Sequence, residues 1–206
     1  NGDEVIIKDI VSVFDNPNHS AFTRTISLTL RHGVPMQYVV EQLQKDKDAD
    51  LTKVAGKIGT AKGTVIEIHG QVLDTNLTPI EDATIDLWQA NSFGKYHHPH
   101  DDSEAPVDEN FQSWAIIQSG KDGKFRFKTV MPGAYPFQAK PEDQRTPHIH
   151  LKIGKHGYEP VLTQMYFPDQ EQNKTDGLYQ RKTKEQQAMM TAQYTEKQNF
   201  AHRGNY

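Results

Sequence analysis

Two tyrosines and two histidines are the residues of this sequence whose types and settings could do chemistry together. The histidines form the pair His148-Ile149-His150, and the tyrosines are Tyr96 and Tyr135. Because alternate side chains of a strand share a face, both imidazoles would point to one side while Ile149 points to the other. One face of the predicted strand therefore offers two nitrogen ligands, and the opposite face offers a core.

The tyrosines narrow the choice of metal. Neutral imidazole suits iron, copper, nickel and zinc, so the histidines alone select none of them. A tyrosine, whose ordinary pKa is about 10, binds as phenolate only to a Lewis acid strong enough to displace its proton, and the hard anionic oxygen favours a trivalent ion. Two phenolates and two neutral imidazoles would bind Fe(III) and leave a single positive charge, which a bound hydroxide would cancel.

Each of these residues also has a plainer interpretation. Taken alone, a His-x-His pair on a strand is usually polar and solvated, a tyrosine is more often a partly buried aromatic than a ligand, and Arg145 is a surface charge. The cluster of His97, His98 and His100 around Pro99 favours a solvated loop over a second metal site, because proline and the aspartates that follow are typical of loops.

Five motifs accompany the candidate ligands in a fixed order. They are Asp86-Leu87-Trp88-Gln89-Ala90-Asn91 leading to Gly94-Lys95-Tyr96, Asp108-Glu109-Asn110-Phe111, Met131-Pro132-Gly133-Ala134-Tyr135-Pro136, Arg145-Thr146-Pro147-His148-Ile149-His150, and Leu162-Thr163-Gln164-Met165-Tyr166-Phe167. Across about residues 48–180 the chain resembles the intradiol ring-cleavage dioxygenases, the family of protocatechuate 3,4-dioxygenase and catechol 1,2-dioxygenase.

The resemblance assigns a role to each candidate ligand. It implies that Tyr96 and His148 are equatorial ligands of Fe(III) and that Tyr135 and His150 are axial ligands. It also implies that the substrate displaces the phenolate of Tyr135, which can then accept a substrate proton.

Two further site residues follow from the same resemblance. Arg145 would be the cationic residue beside the substrate, because guanidinium stays charged and lies flat against planar anions. Gln164 matches a family glutamine, with a spacing after the second histidine that is one residue short. Phe137 stands where a tryptophan is common in the family, a difference that concerns the shape of the substrate pocket.

The implied activity is the cleavage of a catechol ring between its two hydroxyl-bearing carbons with O2, which gives a cis,cis-muconate-type product. The small aromatic diol and O2 would be the partners, and the Thr146-Pro147-His148 form of the motif leans towards protocatechuate. One alternative is a non-catalytic, metal-containing β-sandwich that binds aromatic or carbohydrate ligands. Another is a partner-binding module formed by the helical start of the chain.

The pattern of apolar residues around the candidate ligands predicts an all-β core, an antiparallel β-sandwich with long active-site loops. Alternation predicts strands over Val65–Val72 and His148–Ile153, with Ile85 and Leu87 in another strand and a further strand over Val161–Phe167. Asp122-Gly123 predicts a hairpin between the strands on either side of it. The segment from 96 to 111 is predicted to be a loop.

The two ends of the chain differ from this core. Apolar residues at helical spacing predict a short helical segment over residues 1–47, a hairpin or extension, which weakly resembles the C-terminal region of cobalamin-dependent ribonucleotide reductases. That short resemblance carries over no function, and a fused sequence and a dimerisation element both remain open. Residues 181–206 are predicted to form a polar helix and tail.

Composition excludes several functional classes. A net charge of -4 and a pI near 6.2 give no reason to expect nucleic acid or an anionic membrane as partner. The chain has no cysteine, which excludes disulfides and thiolate metal sites. No apolar run approaches the length of a membrane span, and no secretory segment opens the sequence. A cytoplasmic enzyme is therefore expected, with a processed secreted form as the alternative. Its oligomeric state, homo-oligomeric or hetero-oligomeric, is open.

Overall fold

The computed structural model describes residues 48–137 and 140–195. The chain divides into two units, Asn1–Asp46 and Lys47–Tyr206, and every described residue belongs to the second. The predicted helical segment over residues 1–47 lies outside the described residues, as does the end of the predicted tail from 196 onward.

Nine strands occur within the described ranges. They are β1 (Asp48–Asp50), β2 (Val65–Gln71), β3 (Thr84–Gln89), β4 (Trp114–Gln118), β5 (Lys124–Val130), β6 (Tyr135–Phe137), β7 (Lys140–Arg145), β8 (His148–Gly154) and β9 (Val161–Tyr166). The strands predicted from alternation are confirmed to within a residue at each end. β1, β6 and β7 carry no clear alternation and were not predicted.

The strands form two larger sheets and a small ribbon. The four-stranded sheet has the order β4-β3-β8-β9 and is antiparallel throughout. The three-stranded sheet has the order β1-β5-β2, in which only the short β1 is parallel to its neighbour. β6 and β7 pair with each other. The prediction of an all-β, mainly antiparallel sandwich is confirmed.

The core lies on the faces of the two sheets where apolar residues alternate. Ile85, Leu87 and Ile149 of the four-stranded sheet are fully buried, as are Phe127 and Val130 of the three-stranded sheet. Burial of one such side chain stabilises the fold by about 1.5–3 kcal/mol, so this cluster supplies much of the force that holds the sandwich together. The isoleucine between the two histidines thus belongs to the core, as its strand position predicts.

Gln89 connects the two sheets through polar contacts. Its amide Nε2 donates to the carbonyl of Val130 at 2.9 Å, and its Oε1 accepts from the hydroxyl of Thr129 at 2.8 Å. Gln89 and Thr129 are both fully buried. Buried polar groups are costly unless they are paired, so these bonds specify how the end of β3 meets β5.

The predicted hairpin at Asp122-Gly123 is wrong. A turn forms there, with Gly123 at φ +73°, but β4 belongs to the four-stranded sheet and β5 to the three-stranded sheet. The turn instead packs against the segment that follows β2, where Val72 N–H donates to the carbonyl of Gly123. A turn signal reports a local change of direction, whereas strand pairing depends on which neighbours bury each apolar face.

The segment after β9 carries the helical elements of the described region. A 3-10 turn spans Glu171–Lys174, and two short helices follow, α1 (Gly177–Gln180) and α2 (Lys184–Met190). Ala192 N–H donates to the carbonyl of Tyr166, which joins the chain after α2 to β9. Among the residues described, no helix has the length and apolar character needed to cross a membrane.

Candidate metal centre

The two histidines lie on one face of β8, as the alternation predicts. His148 is 2% exposed and pairs in register with Tyr166, and His150 pairs with Gln164. His148 Nδ1 is 2.7 Å from the carbonyl oxygen of Thr146, which can only accept a hydrogen bond, so Nδ1 carries the proton. In a neutral ring this leaves the lone pair on Nε2, the atom that faces the site.

Burial keeps both imidazoles neutral. It lowers the pKa of His148 to about 3 against the opposing effect of the Thr146 carbonyl, and it lowers the pKa of His150 to about 4. The positive charge of Arg145 contributes to both shifts. Neutral imidazole is the form that binds a metal, so the site holds its nitrogens ready for a cation at ordinary pH.

Trp88 sets the orientation of the second imidazole. Its ring stacks on the ring of His150 with centroids 4.7 Å apart and planes 5° from parallel. The two residues face each other across β3 and β8. Cross-strand aromatic contacts of this kind stabilise a sheet and hold each ring in one rotamer.

Tyr96 is held by the loop that follows β3. Its backbone N–H donates to Asp101 Oδ2 at 2.7 Å. The other carboxylate oxygen of Asp101 accepts from Ser103 N–H and from the ammonium of Lys95, whose side chain is only 12% exposed. This partly buried ion pair closes the loop around Asp101 and fixes the backbone that carries the phenol of Tyr96.

Asn91 ties the segments of the two tyrosines together. Its Oδ1 accepts from the N–H groups of Phe93 and Lys95, and its carbonyl accepts from the N–H of Gly133, just before Tyr135. Gly94 has φ +82°, and a Cβ on it would lie 2.3 Å from the carbonyl oxygen of Ala134. Only glycine permits this approach of the two backbones.

The four candidate ligand atoms form a closed ring. Tyr96 Oη is 3.5 Å from Tyr135 Oη, which is 3.3 Å from His148 Nε2. His148 Nε2 is 3.2 Å from His150 Nε2, which is 3.2 Å from Tyr96 Oη. Two ligands that each bind one ion at about 2.0–2.1 Å have a separation in this range. The donor set therefore fits a single metal ion.

The chemistry of the tyrosines agrees with a strongly acidic cation. Burial raises the pKa of Tyr96 far above its ordinary value, and the nearby Tyr135 adds to this effect. Burial likewise raises the pKa of Tyr135, although the hydrogen bond with Tyr96 and the charge of Arg145 oppose it. Phenolates form in such a site only if a metal supplies enough positive charge, as a trivalent ion does.

Arg145 is brought to the same site by two partners. Its Nε donates to Asp176 Oδ2 at 2.9 Å, and its Nη2 donates to Gln164 Oε1 at 2.6 Å. Arg145 lies opposite Tyr135 in the ribbon of β6 and β7. Arginine has only donors, so it fixes the orientation of the Gln164 amide with the oxygen towards Arg145.

Three residues of the site were not singled out by sequence reasoning. They are Asp176, which binds Arg145, Tyr166, whose hydroxyl donates to Gln164 Oε1 at 2.6 Å, and Trp88, which stacks on His150. Tyr166 and Trp88 stand in the motifs, but their contacts depend on strand pairing. Asp176 has only the local signal of an aspartate that precedes a helix.

The histidine cluster after Tyr96 is exposed to solvent at His97, His98 and His100 alike. The rings of His98 and His100 lie 5.2 Å apart, and His100 N–H donates to His98 Nδ1. In the part of the chain that the structure describes, no group of three or more His, Cys, Asp or Glu side chains is placed to hold a metal.

Known proteins resemble this chain over the same region. A family model described as Dioxygenase matches residues 37–204, and one described as NrdJ homologue C-terminal domain matches residues 1–64. The protocatechuate 3,4-dioxygenase beta chain of Burkholderia cepacia is 40% identical over 122 residues, which cover 59% of this chain and 52% of that protein. A chlorocatechol 1,2-dioxygenase of Cupriavidus pinatubonensis is 35% identical over 117 residues, or 52% of this chain and 41% of that protein.

A solved structure shares the fold. The 3-chlorocatechol 1,2-dioxygenase of Rhodococcus opacus superposes with a TM-score of 0.51 at 18% identity, over 77% of this chain and 75% of that chain. The chain spans about half the length of the curated relatives it matches.

Proposed function

The chain belongs to the intradiol ring-cleavage dioxygenase family, and from this premise we propose that it is a non-haem Fe(III) dioxygenase. Its substrates are a catechol and O2, and its product is a cis,cis-muconate-type acid opened between the two hydroxyl-bearing carbons. The observation that supports this proposal is the ring formed by two phenol oxygens and two imidazole nitrogens, with neighbouring atoms 3.2–3.5 Å apart.

Tyr96, Tyr135, His148 and His150 would hold the iron. When bound, ferric iron supplies a Lewis acid that draws electron density from a chelated diolate and makes its ring reactive towards O2. The two histidines stay neutral because burial lowers the pKa of each of them. Their neutrality leaves the phenolates as the only anionic protein ligands.

Tyr135 is suited to receive a substrate proton. Its oxygen lies within hydrogen-bond range of both Tyr96 Oη and His148 Nε2, and its ring is only half-buried. Because burial raises the pKa of Tyr135, its phenolate is a strong base that takes up a proton readily once a diol competes for the same position.

Arg145 is placed to stabilise negative charge on the ring of the substrate. Its guanidinium is 6% exposed in the side chain and is fixed in place by Asp176 and Gln164. A fixed cation in a water-poor site stabilises developing charge without having to reorganise during the reaction. Gln164 then acts chiefly by holding Nη2 of Arg145.

The substrate class is a catechol, with protocatechuate as the first compound to test. The 40% identity with a protocatechuate 3,4-dioxygenase beta chain and the Thr146-Pro147-His148 sequence support this order. A cytoplasmic location and assembly into a homo-oligomer or a hetero-oligomer stay predictions.

A visible spectrum followed by oxygen uptake tests the proposal. The iron-loaded protein should show a phenolate-to-iron absorption band that shifts to longer wavelength when protocatechuate or catechol is added without oxygen. Admission of O2 should then consume one O2 per diol and place both of its atoms in the product, as seen with labelled oxygen. Zinc-loaded protein is the matched control and should stay colourless. A colourless iron-loaded protein would favour the non-catalytic binding sandwich instead.

A further inference from the structure

Asp176 is a buried carboxylate that the reaction as described does not use directly. Its side chain is 0% exposed, although it stands in the polar segment after β9. It is the N-cap residue of α1. A buried charge of this kind is costly unless every oxygen is satisfied, so its partners show what it does in the fold.

The two oxygens of Asp176 serve different parts of the molecule. Oδ1 accepts from the backbone N–H groups of Leu178 and Tyr179 and so caps α1. Oδ2 accepts from Arg145 Nε at 2.9 Å and from the backbone N–H of Thr146 at 2.8 Å. One oxygen therefore anchors the carboxylate to a helix, and the other holds the segment that leads into β8.

The anchor determines how the guanidinium faces the site. Asp176 binds Nε and Gln164 binds Nη2, so the plane of Arg145 is fixed along one edge. The remaining nitrogen, Nη1, is used by neither partner. Rotation of the guanidinium would break its hydrogen bond with Asp176 or its hydrogen bond with Gln164. Because a guanidinium forms strong, charge-assisted hydrogen bonds, these two contacts keep the cation in the site.

Thr146 extends the influence of the same oxygen towards the histidines. Its N–H donates to Asp176, and its carbonyl accepts the Nδ1 proton of His148. Its hydroxyl donates to Asn173 Oδ1 at 2.7 Å, which provides a second tie to the segment before α1. Asp176 and Asn173, which both belong to the segment after β9, therefore hold the backbone between Arg145 and His148.

We propose that Asp176 is a positioning residue for the ring-cleavage reaction, which holds the Arg145 guanidinium beside the bound diol from the capped start of α1. This inference rests on the proposed function. The side-chain hydrogen bonds of Asp176 go to Arg145 and to backbone N–H groups, and to none of the four candidate metal ligands. The proposal assigns its main effect on turnover to the contact with Arg145.

The first test follows the Nε–H group of Arg145 by NMR in iron-free protein with labelled arginine. In the wild-type protein this proton should exchange slowly with water, and Asp176→Ser should make it exchange quickly. Serine is a good N-cap, so this variant keeps the cap of α1 while it removes the contact with Arg145. Rapid exchange in the wild-type protein, or slow exchange retained in the variant, would overturn the proposal without any measurement of activity.

The surface pair of Arg126 and Asp48 is the matched control for that experiment. Arg126 Nε also donates to a carboxylate at 2.9 Å, but both side chains are more than half exposed. Asp48→Asn should alter the signal of Arg126 and leave the signal of Arg145 and the turnover unchanged.

The second test is a double-mutant cycle on turnover. Asp176→Asn and Asp176→Ser should each lower kcat about 10- to 100-fold, the usual effect of removing a supporting partner, with a smaller change in KM and with iron content and the diol-free spectrum retained. In an Arg145→Ala background the same changes should have little further effect. Independent, additive losses would show that Asp176 does not act through Arg145.

A control variant separates positioning from helix stability. Thr183 caps α2 through Gln186 N–H and makes no contact with Arg145. Thr183→Ala should lower stability without lowering kcat. If the wild-type protein fails to consume O2 with any diol, the proposed function fails, and the NMR result still decides whether Asp176 orders Arg145.

Discussion

The histidine pair lies on a single strand in the middle of a sheet, whereas the tyrosine pair lies on two separate chain segments that meet at Gly94 and Gly133. The histidines are spaced by the two-residue period of β8, and β3 and β9 flank that strand on both sides. The distance between the tyrosines is set by backbone N–H groups that donate to Asn91 and by a close approach of the two backbones. The four candidate ligand atoms therefore come from one regular strand, from a loop and from the start of a short, irregular ribbon.

The positions of the two kinds of ligand therefore depend on different kinds of contact. The pairing of β8 with β3 and β9 holds the imidazole nitrogens through many backbone hydrogen bonds. Loss of any one of these bonds should therefore displace the imidazoles only slightly. The loop after β3 and the short ribbon of β6 and β7 hold the phenol oxygens through a few specific contacts, so a single substitution can move a phenol. Substitutions at the histidines should therefore act on metal binding, and substitutions near the tyrosines should act on the geometry of the phenols.

Removal of a histidine should abolish the site. His148→Ala is expected to lower iron affinity by more than about 100-fold, because loss of even an outer partner of a ligand costs 10- to 100-fold. Iron content after dialysis and oxygen uptake are the measurements. His156→Ala, in the exposed turn after β8, is the control and should bind iron as the wild-type protein does. Normal iron content in His148→Ala would exclude His148 as a ligand.

Removal of the Tyr135 phenol oxygen should reduce turnover much more than it reduces iron binding. Tyr135→Phe keeps the aromatic ring beside Tyr96, whose centroid is 5.3 Å away. We expect it to retain some iron, to change colour and to lose turnover by about 100-fold or more, the contribution typical of a positioned base. Tyr96→Phe should also change the spectrum. Tyr158→Phe, at an exposed tyrosine, should leave the spectrum alone, and an unchanged spectrum in Tyr135→Phe would make that residue structural.

Acid should destabilise the iron-free protein because it protonates His148 and His150 more readily in the unfolded chain than in the folded one. The folded pKa values of about 3 for His148 and about 4 for His150 lie below the ordinary 6.5, so the unfolded chain binds more protons between those limits. The free energy of unfolding should therefore fall as pH falls from about 6.5 towards 4, with a slope approaching about 1.4 kcal/mol per pH unit for each histidine.

The tyrosines provide the contrast in that experiment. Burial raises the pKa of both Tyr96 and Tyr135, so neither changes its protonation in the acid range. Urea denaturation across this pH range measures the slope. His148→Gln should reduce this slope by about half, because it removes one of the two histidines that take up a proton on unfolding. An unchanged slope in that variant would contradict the assignment of the effect to the buried imidazoles.

A methyl group on Gly94 should separate the backbone segments that carry Tyr96 and Tyr135. Gly94→Ala is expected to lower the free energy of unfolding by about 2–4 kcal/mol, because alanine would be strained at φ +82° and would clash with the carbonyl of Ala134. Gly157→Ala shares the positive φ but meets open space, so it should cost only about 1–2 kcal/mol. Equal losses in the two variants would show that the backbones do not need to approach closely.

Sequence patterns predicted the sandwich and the histidine face well for a physical reason. Alternation in β8 requires only that one side of the strand be buried, and Ile149 and Leu151 are the buried side. The hairpin prediction at Asp122-Gly123 failed because a turn sequence contains no information about which sheet receives the next strand. β7 was missed for a related reason, since Lys140–Arg145 has no apolar alternation and is a strand through its pairing with β6.

Three properties of this protein could be inferred before its structure was known. They are the residue types available for the chemistry, the two-residue period that puts both imidazoles on one face of β8, and the family to which the chain belongs. These properties depend on local order along the chain. Only the tertiary structure decided that Tyr96 and Tyr135 come within 3.5 Å of each other, that Trp88 stacks on His150, and that Asp176 binds an arginine 31 residues earlier. Such contacts join distant segments, and their geometry arises from sheet pairing and loop packing that no local pattern encodes.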